Sequence, residues 1–178
     1  LTTFSDTLAN ALQTKLKRLL GAEPRLGERI DVHALSAVGA RLYKALCGPA
    51  MLATAAQLKV TIQAAGKAVE GHKFTAHFLL TEWSQIVDAW QLTSWEAYRD
   101  VVRLGRKTRL PEAQRRVLWS IFEHVRGDLK TQQLMTEAEL FTAVAAAVSK
   151  ASNRPYDFTV VDEAQDLSVS QVRFLASL

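Results

Sequence analysis

Cysteine is nearly absent from this chain, which has one, Cys47, in 178 residues. A single cysteine excludes an intrachain disulfide framework and a zinc site built from clustered cysteines. No apolar run approaches the roughly 20 residues that span a bilayer. The first residues also lack the basic-then-apolar layout of a secretory signal. Together these absences predict a cytoplasmic protein without a membrane partner.

Proline and glycine are also scarce, at four and eight residues, and their scarcity favours long helices. The rest of the composition is 48% hydrophobic and 22% charged, which is ample for a packed core. It excludes a disordered tail, a collagen-like fibre and a low-complexity linker. The length fits one ordinary domain, or one and a half small ones.

Positive charge is concentrated in one stretch. The formal net charge is +4, and residues 99–116 hold seven basic residues against two acidic ones. Such a localised basic surface can bind a polyanion such as a nucleic-acid backbone. The alternative interpretation is a helix face that is rich in arginine and contacts only solvent. The basic residues are Arg99, Arg103, Arg106, Lys107, Arg109, Arg115 and Arg116.

The first third of the chain predicts alternating short strands and helices. The residues before Ser5 have the content of a strand end, and Ser5 or Asp6 can cap a helix that Gly21 closes. The alternation of polar and apolar residues over 29–32 predicts a short strand. A second amphipathic helix follows and ends near Gly48.

The middle of the chain, from residue 50 to about 151, predicts helices throughout. Trp83, Trp90 and Trp119 fall on apolar helical faces, so we expect them in a core. Pro111 is suited to the first position of a long helix.

The sequence changes character near its end. Residues 156–161 are β-branched and aromatic and predict a buried strand, and Ser168 with Gln171 forms a capping box for a last helix. A strand of the parallel-sheet type after a long helical interlude indicates an α/β domain interrupted by a helical insertion.

Asp162 and Glu163 follow that last strand directly. In α/β sheets, ligands gather at the carboxyl ends of strands. One carboxylate there can hold Mg²⁺, which prefers oxygen ligands, and a second can act on the water that attacks a γ-phosphate. The adjacent Gln165 and Asp166 extend a polar set that core packing does not require.

The run VVDEAQDLS at residues 160–168 resembles motif II (Walker B) of the UvrD/Rep-type superfamily 1 DNA helicases, which are ATP-driven motors on single-stranded DNA. Residues 2–8, TTFSDTL, resemble motif Ia, and residues 30–35, IDVHAL, loosely resemble motif Ib. Residues 82–129 are similar to the helical insertion of these enzymes, subdomain 1B.

The resemblance implies a partial RecA-like P-loop NTPase domain with few parallel strands, interrupted by a mostly helical insertion. Residues 1–48 would begin motor domain 1A, residues 49–135 would form the insertion, and residues 136–178 would return to the motor domain. The implied cofactors are ATP and Mg²⁺. The implied DNA partner is a single strand or a junction of single and double strands, with DNA repair as the setting.

The resemblance also implies roles for individual residues. Glu163 and Gln165 would be catalytic, Asp162 and Asp166 would bind the cofactor, and Asp162 would coordinate the metal. The DNA-binding residues would be Thr3, Phe4, Ser5, His33, Arg103, Arg106 and Arg109, and either His33 or Ser36 can occupy the motif Ib position.

The sequence contains no Walker A loop of the form G-x-x-x-x-G-K-[ST]. We therefore expect this chain to be a fragment of the motor that does not hydrolyse ATP alone. We also expect Val160 and Val161 to border an unpaired sheet edge through which the fragment self-associates. Two other classes stay open, namely a non-catalytic single-stranded-DNA-binding or interaction module and an RNA helicase, although Asp166 and the helical insertion argue against the latter.

Overall fold

The computed structural model describes residues 1–3, 5–21, 23–102 and 110–178. This part of the chain is mostly helical with a small parallel sheet, which fits an α/β class. In chain order, the elements are β1 (Thr2–Thr3), α1 (Asp6–Leu19), α2 (Pro24–Gly27), β2 (His33–Ala34), α3 (Leu35–Leu46), α4 (Ala55–Ala68), α5 (Ala76–Glu82), a π-helix (Trp83–Asp88), α6 (Trp95–Asp100), α7 (Glu112–Thr131), α8 (Glu137–Val148), a 3-10 turn (Ala164–Asp166) and α9 (Val169–Ser177).

The chain divides into two units. Unit 1 consists of Leu1–Pro49 and Leu140–Leu178, and unit 2 consists of Ala50–Glu139. The insertion predicted at residues 49–135 overlaps unit 2 over most of its length. Its assignment to subdomain 1B stays a prediction.

The sheet of unit 1 is built around β1. On one side β1 pairs in parallel with β2, with Thr2 opposite His33. On the other side Thr2 forms a parallel bridge with Val161. The strand predicted at residues 29–32 is therefore wrong in position, because the pairing partner of β1 is His33–Ala34. Alternation of polar and apolar residues does not fix which residues a neighbouring strand selects.

Helix α1 begins where the sequence predicts it. Ser5 is the N-cap, and its Oγ accepts a hydrogen bond from the Leu8 N–H at 3.3 Å. Lys17 and Arg18 in the last turn suit the negative end of the helix dipole. The cap fixes the point at which the chain turns from β1 into the helix.

Helices α3 and α9 and the residues of α8 in unit 1 contribute the core of that unit. Phe141 and Phe174 are fully buried, with ring centroids 5.1 Å apart. Gly39 on α3 lies against Phe141, since a Cβ built at Gly39 would stand 2.5 Å from Phe141 Cε1 and 3.2 Å from Leu140 Cδ2. Glycine at this position permits the close approach of α3 to Phe141.

We expect Gly39→Ala to destabilise unit 1 by about 1–2 kcal/mol, because the new methyl group displaces the Phe141 ring and this outweighs the helix propensity gained. Native-state hydrogen exchange of the α3 amides measures the effect. Gly27→Ala is the matched control, since a Cβ there meets nothing within 4 Å. Equal exchange rates in both variants would show that the core accommodates the methyl group.

Unit 2 is a helical bundle with an aromatic core. Trp83, Tyr98, Trp119 and Phe122 are buried, and the Tyr98 ring stacks on Trp119 with centroids 5.7 Å apart. The predicted core placement is confirmed for Trp83 and Trp119, whereas Trp90 is half-buried. Pro111 is the N-cap of α7, so the helix begins one residue later than predicted.

One turn of π-helix, Trp83–Asp88, follows α5 and interrupts the regular helix predicted there. Asp88 at its end belongs to a polar network in unit 2. Its Oδ1 accepts hydrogen bonds from Thr136 Oγ1 at 2.6 Å and from Gln91 Nε2 at 2.9 Å. The pKa of Asp88 is raised to about 6, mainly by burial and also by the nearby Glu139 carboxylate, while the Thr136 hydrogen bond and Arg126 oppose the rise.

Candidate functional site

Asp162 stands at the carboxyl end of the segment that bridges to β1. The Thr2 N–H donates to the Val160 carbonyl at 2.8 Å, and the Asp162 N–H donates to the Thr2 carbonyl at 2.9 Å. These two bonds fix the backbone on both sides of Val161. The half-buried side chain of Asp162 is therefore the first acidic group beyond the paired part of the segment.

Glu163 has a left-handed backbone, with φ 56° and ψ 45°. A non-glycine residue pays a free-energy penalty for this conformation, on the order of 1–3 kcal/mol in sparsely populated regions, and such residues cluster at functional sites. The Asp166 N–H donates to the Glu163 carbonyl at 3.1 Å, which closes the 3-10 turn. The chain thus reverses sharply at the second carboxylate, a feature that the sequence pattern does not show.

The side chain of Glu163 is exposed, and its polar partner among the described residues is Gln165, whose Nε2 donates to Glu163 Oε2. The structure therefore brings together two residues that the sequence singles out as catalytic. Gln165 restrains the carboxylate without neutralising it, and Asp166 is exposed one residue further along.

Helix α9 begins directly after this turn. Ser168 Oγ accepts from the Gln171 N–H at 3.3 Å, and Gln171 Oε1 accepts from the Ser168 N–H at 2.9 Å. The predicted capping box is confirmed. It anchors the carboxylate turn to a regular element.

The carboxylates meet one requirement of a magnesium site and lack another. Asp162, Glu163 and Asp166 offer oxygen ligands that are at least partly exposed, and no ion pair to them occurs among the described residues. The described part of the chain contains no group of three or more side chains arranged to hold a metal. Carboxylate oxygens are ligands of the type that Mg²⁺ prefers, and among the described residues they do not form a closed protein cage.

The residues predicted to contact DNA near β1 are placed differently from one another. Thr3 is 2% exposed, and within the described ranges its Oγ1 has no hydrogen-bond partner. Ser5 is exposed, although its hydroxyl oxygen caps α1. Phe4 lies outside the described residues. Of the two described positions, Ser5 is the one that a phosphate can reach in this conformation.

The buried hydroxyl of Thr2 also lacks a partner among the residues described. Buried polar atoms are almost always hydrogen-bonded, so two adjacent exceptions on one short strand are unusual. Both threonines lie on β1, where the Thr2 carbonyl accepts the hydrogen bond from the Asp162 N–H. Sequence reasoning missed this feature, because it depends on burial rather than on residue type.

His33 is half-buried on β2 and lies beside Arg41, with 3.5 Å between His33 Nε2 and Arg41 Nη1. Arg41 also donates to the Tyr156 hydroxyl and lies 3.7 Å from Asp31 Oδ2. Ser36, the alternative motif Ib residue, is exposed in the first turn of α3. His33 therefore contacts Arg41, and through Arg41 it is linked to Tyr156 and Asp31.

Arg103, Arg106 and Arg109 lie outside the described residues, so the structure describes only the flanks of the basic stretch. Arg99 pairs with Asp100 at 2.7 Å, and Arg115 donates to the Arg99 carbonyl. Arg116 lies over the Trp95 ring at 4.5 Å and 3.3 Å from a carboxylate oxygen of Glu112. These flanking arginines all have protein partners.

Within the described ranges, none of the helices combines the length and apolar character needed to cross a membrane. Comparison of the chain with protein-family models, with curated proteins and with solved structures finds no match.

Proposed function

We propose that this chain is part of an ATP-dependent DNA helicase or translocase of the UvrD/Rep type, with a RecA-like motor domain in unit 1 and a cytoplasmic location. The observation that carries the proposal is the VVDEAQDLS segment, whose Asp162 and Glu163 directly follow the isolated parallel bridge between Val161 and Thr2 of β1. Parallel pairing with ligand-binding groups beyond the carboxyl ends of strands is the arrangement that nucleotide-binding α/β domains use.

In this proposal the carboxylates divide two tasks. Asp162 binds Mg²⁺, which when bound neutralises charge on the nucleotide phosphates. Glu163 accepts a proton from the attacking water, and Gln165 orients the Glu163 carboxylate by the hydrogen bond to its Oε2. Asp166 follows in the turn that fixes the Glu163 backbone and contributes to the nucleotide side of the site.

The DNA contacts in this proposal come from both units. Phe4 contacts a base and Thr3 or Ser5 a phosphate, and Thr3 can do so only after β1 opens to solvent. His33 or Ser36 extends this contact, and Arg103, Arg106 and Arg109 bind backbone phosphates from unit 2. Single-stranded DNA is the expected ligand, because phosphates and stacked bases are both accessible in it.

A second function is favoured by one observation. The sequence of this chain contains no phosphate-binding loop, so a non-catalytic module that binds single-stranded DNA or another partner is the alternative. The two functions differ in one measurable respect. A polypeptide that joins this chain to a phosphate-binding loop and a second motor domain hydrolyses ATP in response to single-stranded DNA only under the helicase proposal.

The DNA-binding part is tested on the chain itself. Changing Arg103, Arg106 and Arg109 to Ala should weaken binding to an oligonucleotide and reduce the slope of log K against log salt by about 2, since each phosphate contact on single strands contributes roughly 0.7. Fluorescence anisotropy at several salt concentrations measures both quantities.

The control for that experiment removes the same charge elsewhere. Lys15, Lys17 and Arg18 are exposed on α1, and their triple Ala variant should keep the parental slope. Equal losses in the two variants would mean that net charge, and not the 103–109 stretch, determines binding.

A further inference from the structure

The segment that bridges to β1 has a second edge that is open. Its backbone bonds to β1 run through the Val160 carbonyl and the Asp162 N–H. Backbone groups alternate in direction along a strand, so those of Thr159 and Val161 point away from β1. No backbone group within the described ranges pairs with them. The edge can therefore accept another strand.

The side chains at this edge are apolar and exposed. Phe158 is 91% exposed and Val160 is 61% exposed, and both line a groove with Leu16, Leu26 and Ile30. Proteins usually protect such an edge with charge or proline within the strand. Residues 158–161 contain neither, so the apolar side chains and the open backbone coincide.

We propose that two copies of this chain pair through this edge in antiparallel orientation, with Thr159 on the twofold axis. The inference does not depend on the proposed function. An antiparallel pair can be centred on Thr159, Val160 or Val161, and the three registers bring different side chains together. Charge and apolar contact distinguish them.

The register centred on Thr159 is the one that matches side chains. It places Phe158 of each copy opposite Val160 of the other, so that the two exposed apolar side chains cover each other. The two Thr159 residues form the hydrogen-bonded pair at the axis, a favourable cross-strand combination.

The other two registers set poorly matched side chains opposite each other. Centring on Val160 sets Asp157 opposite Glu163 of the other copy, a like-charge pair that occurs twice by symmetry. Centring on Val161 sets Val160 opposite Asp162 of the other copy. Like charges directly opposite destabilise a sheet, which disfavours the Val160 register. The Val161 register is disfavoured because it sets Phe158 opposite Ala164 and so loses the Phe158–Val160 contact.

Cysteine cross-linking in a Cys47→Ser background tests the register. Opposite residues of a hydrogen-bonded antiparallel pair have Cα atoms about 5.5 Å apart, which a disulfide can span. Thr159→Cys should therefore give a covalent dimer under mild oxidation, and Val160→Cys alone should not. A mixture of the Asp157→Cys and Val161→Cys chains should cross-link, whereas each of these variants alone should remain uncross-linked.

Sedimentation of the cysteine-free parent gives an independent readout. We expect a monomer–dimer equilibrium that Val160→Lys shifts at least tenfold towards monomer, while Val60→Lys, at an exposed position of unit 2, leaves it unchanged. A parent that stays monomeric at all concentrations overturns the proposal. This holds even if the monomer binds an added peptide at the open edge. A dimer that cross-links through Val160→Cys overturns the register.

Discussion

Replacing Glu163 by Gln should lower DNA-stimulated kcat by about 100-fold or more and leave the affinities for ATP and DNA nearly unchanged. Gln keeps the size of the side chain and an oxygen that can accept the Gln165 hydrogen bond. It loses the negative charge that, under the helicase proposal, accepts a proton from the attacking water. Because that transfer occurs as the transition state forms, the loss falls on kcat rather than on ground-state binding.

Asp162→Asn should behave differently at the neighbouring position. An anionic oxygen that binds Mg²⁺ contributes to nucleotide binding before any chemistry takes place, so both ATP affinity and turnover should fall. The backbone bond from the Asp162 N–H to Thr2 does not involve the side chain, so the local fold should survive. The two variants together separate metal binding from water activation.

The measurements are ATP affinity and DNA-stimulated hydrolysis in a polypeptide that joins this chain to a phosphate-binding loop and a second motor domain. Glu23→Gln, an exposed position of unit 1, controls for removing one negative charge. The chain by itself supplies the background rate. Hydrolysis by Glu163→Gln at the parental rate would refute the Walker B assignment of Glu163. Absence of DNA-stimulated hydrolysis in the parent polypeptide would favour the non-catalytic alternative.

Local signals in the sequence predicted the local parts of this site. The capping box of Ser168 and Gln171 depends on side chains three residues apart, and so does the Ser5 cap of α1. Such interactions are encoded within one turn and need no distant partner. For this reason the helix that follows the carboxylates begins where the sequence placed it.

The parts that depend on distant pairing were not predictable in the same way. The apolar content of residues 156–161 predicts a buried strand, yet Phe158 and Val160 are exposed because nothing in the described chain covers that edge. Composition indicates that a segment can pair but does not identify its partner. The left-handed backbone of Glu163 is equally invisible, since Glu has no preference for it.

The π-helix shows the same limitation in unit 2. Apolar periodicity over residues 78–90 predicts one regular helix, and the extra residue of a π turn changes that pattern too little to be detected. Its consequence is the position of Asp88, which meets Thr136 across 48 residues of sequence. The most strongly perturbed carboxyl of unit 2 that the structure describes therefore arises from a contact that no local pattern contains.

Asp88→Asn should stabilise unit 2 at pH 8 by about 1–3 kcal/mol. Burial raises the pKa of this carboxyl from about 3.8 to about 6, so the folded state binds its proton more tightly than the unfolded state does. The parent therefore loses stability as the pH rises between about 4 and 6, and it remains less stable above that range. A difference of two pKa units corresponds to roughly 3 kcal/mol, which is an upper bound for the gain.

Asparagine retains the oxygen that accepts from Thr136 and Gln91 and carries no charge to bury. Its new amide donor requires a partner in a site that also contains Glu139 and Arg126, and the lower end of the expected gain allows for imperfect pairing. The pH dependence is the sharper signature, because the fall in stability between pH 4 and 6 should shrink in the variant whatever the absolute gain. Burial also raises the pKa of Glu137 in unit 2, so a smaller fall should remain.

Urea unfolding at a series of pH values, followed by tryptophan fluorescence, measures both effects. All four tryptophans, at positions 83, 90, 95 and 119, lie in unit 2, so the signal reports on that unit alone. Asp128→Asn on the exposed side of α7 is the matched control and should keep the parental pH profile. If Asp88→Asn and the parent lose the same stability between pH 4 and 6, another group in unit 2 is responsible, and the buried Asp88 carboxylate is already compensated by its hydrogen bonds.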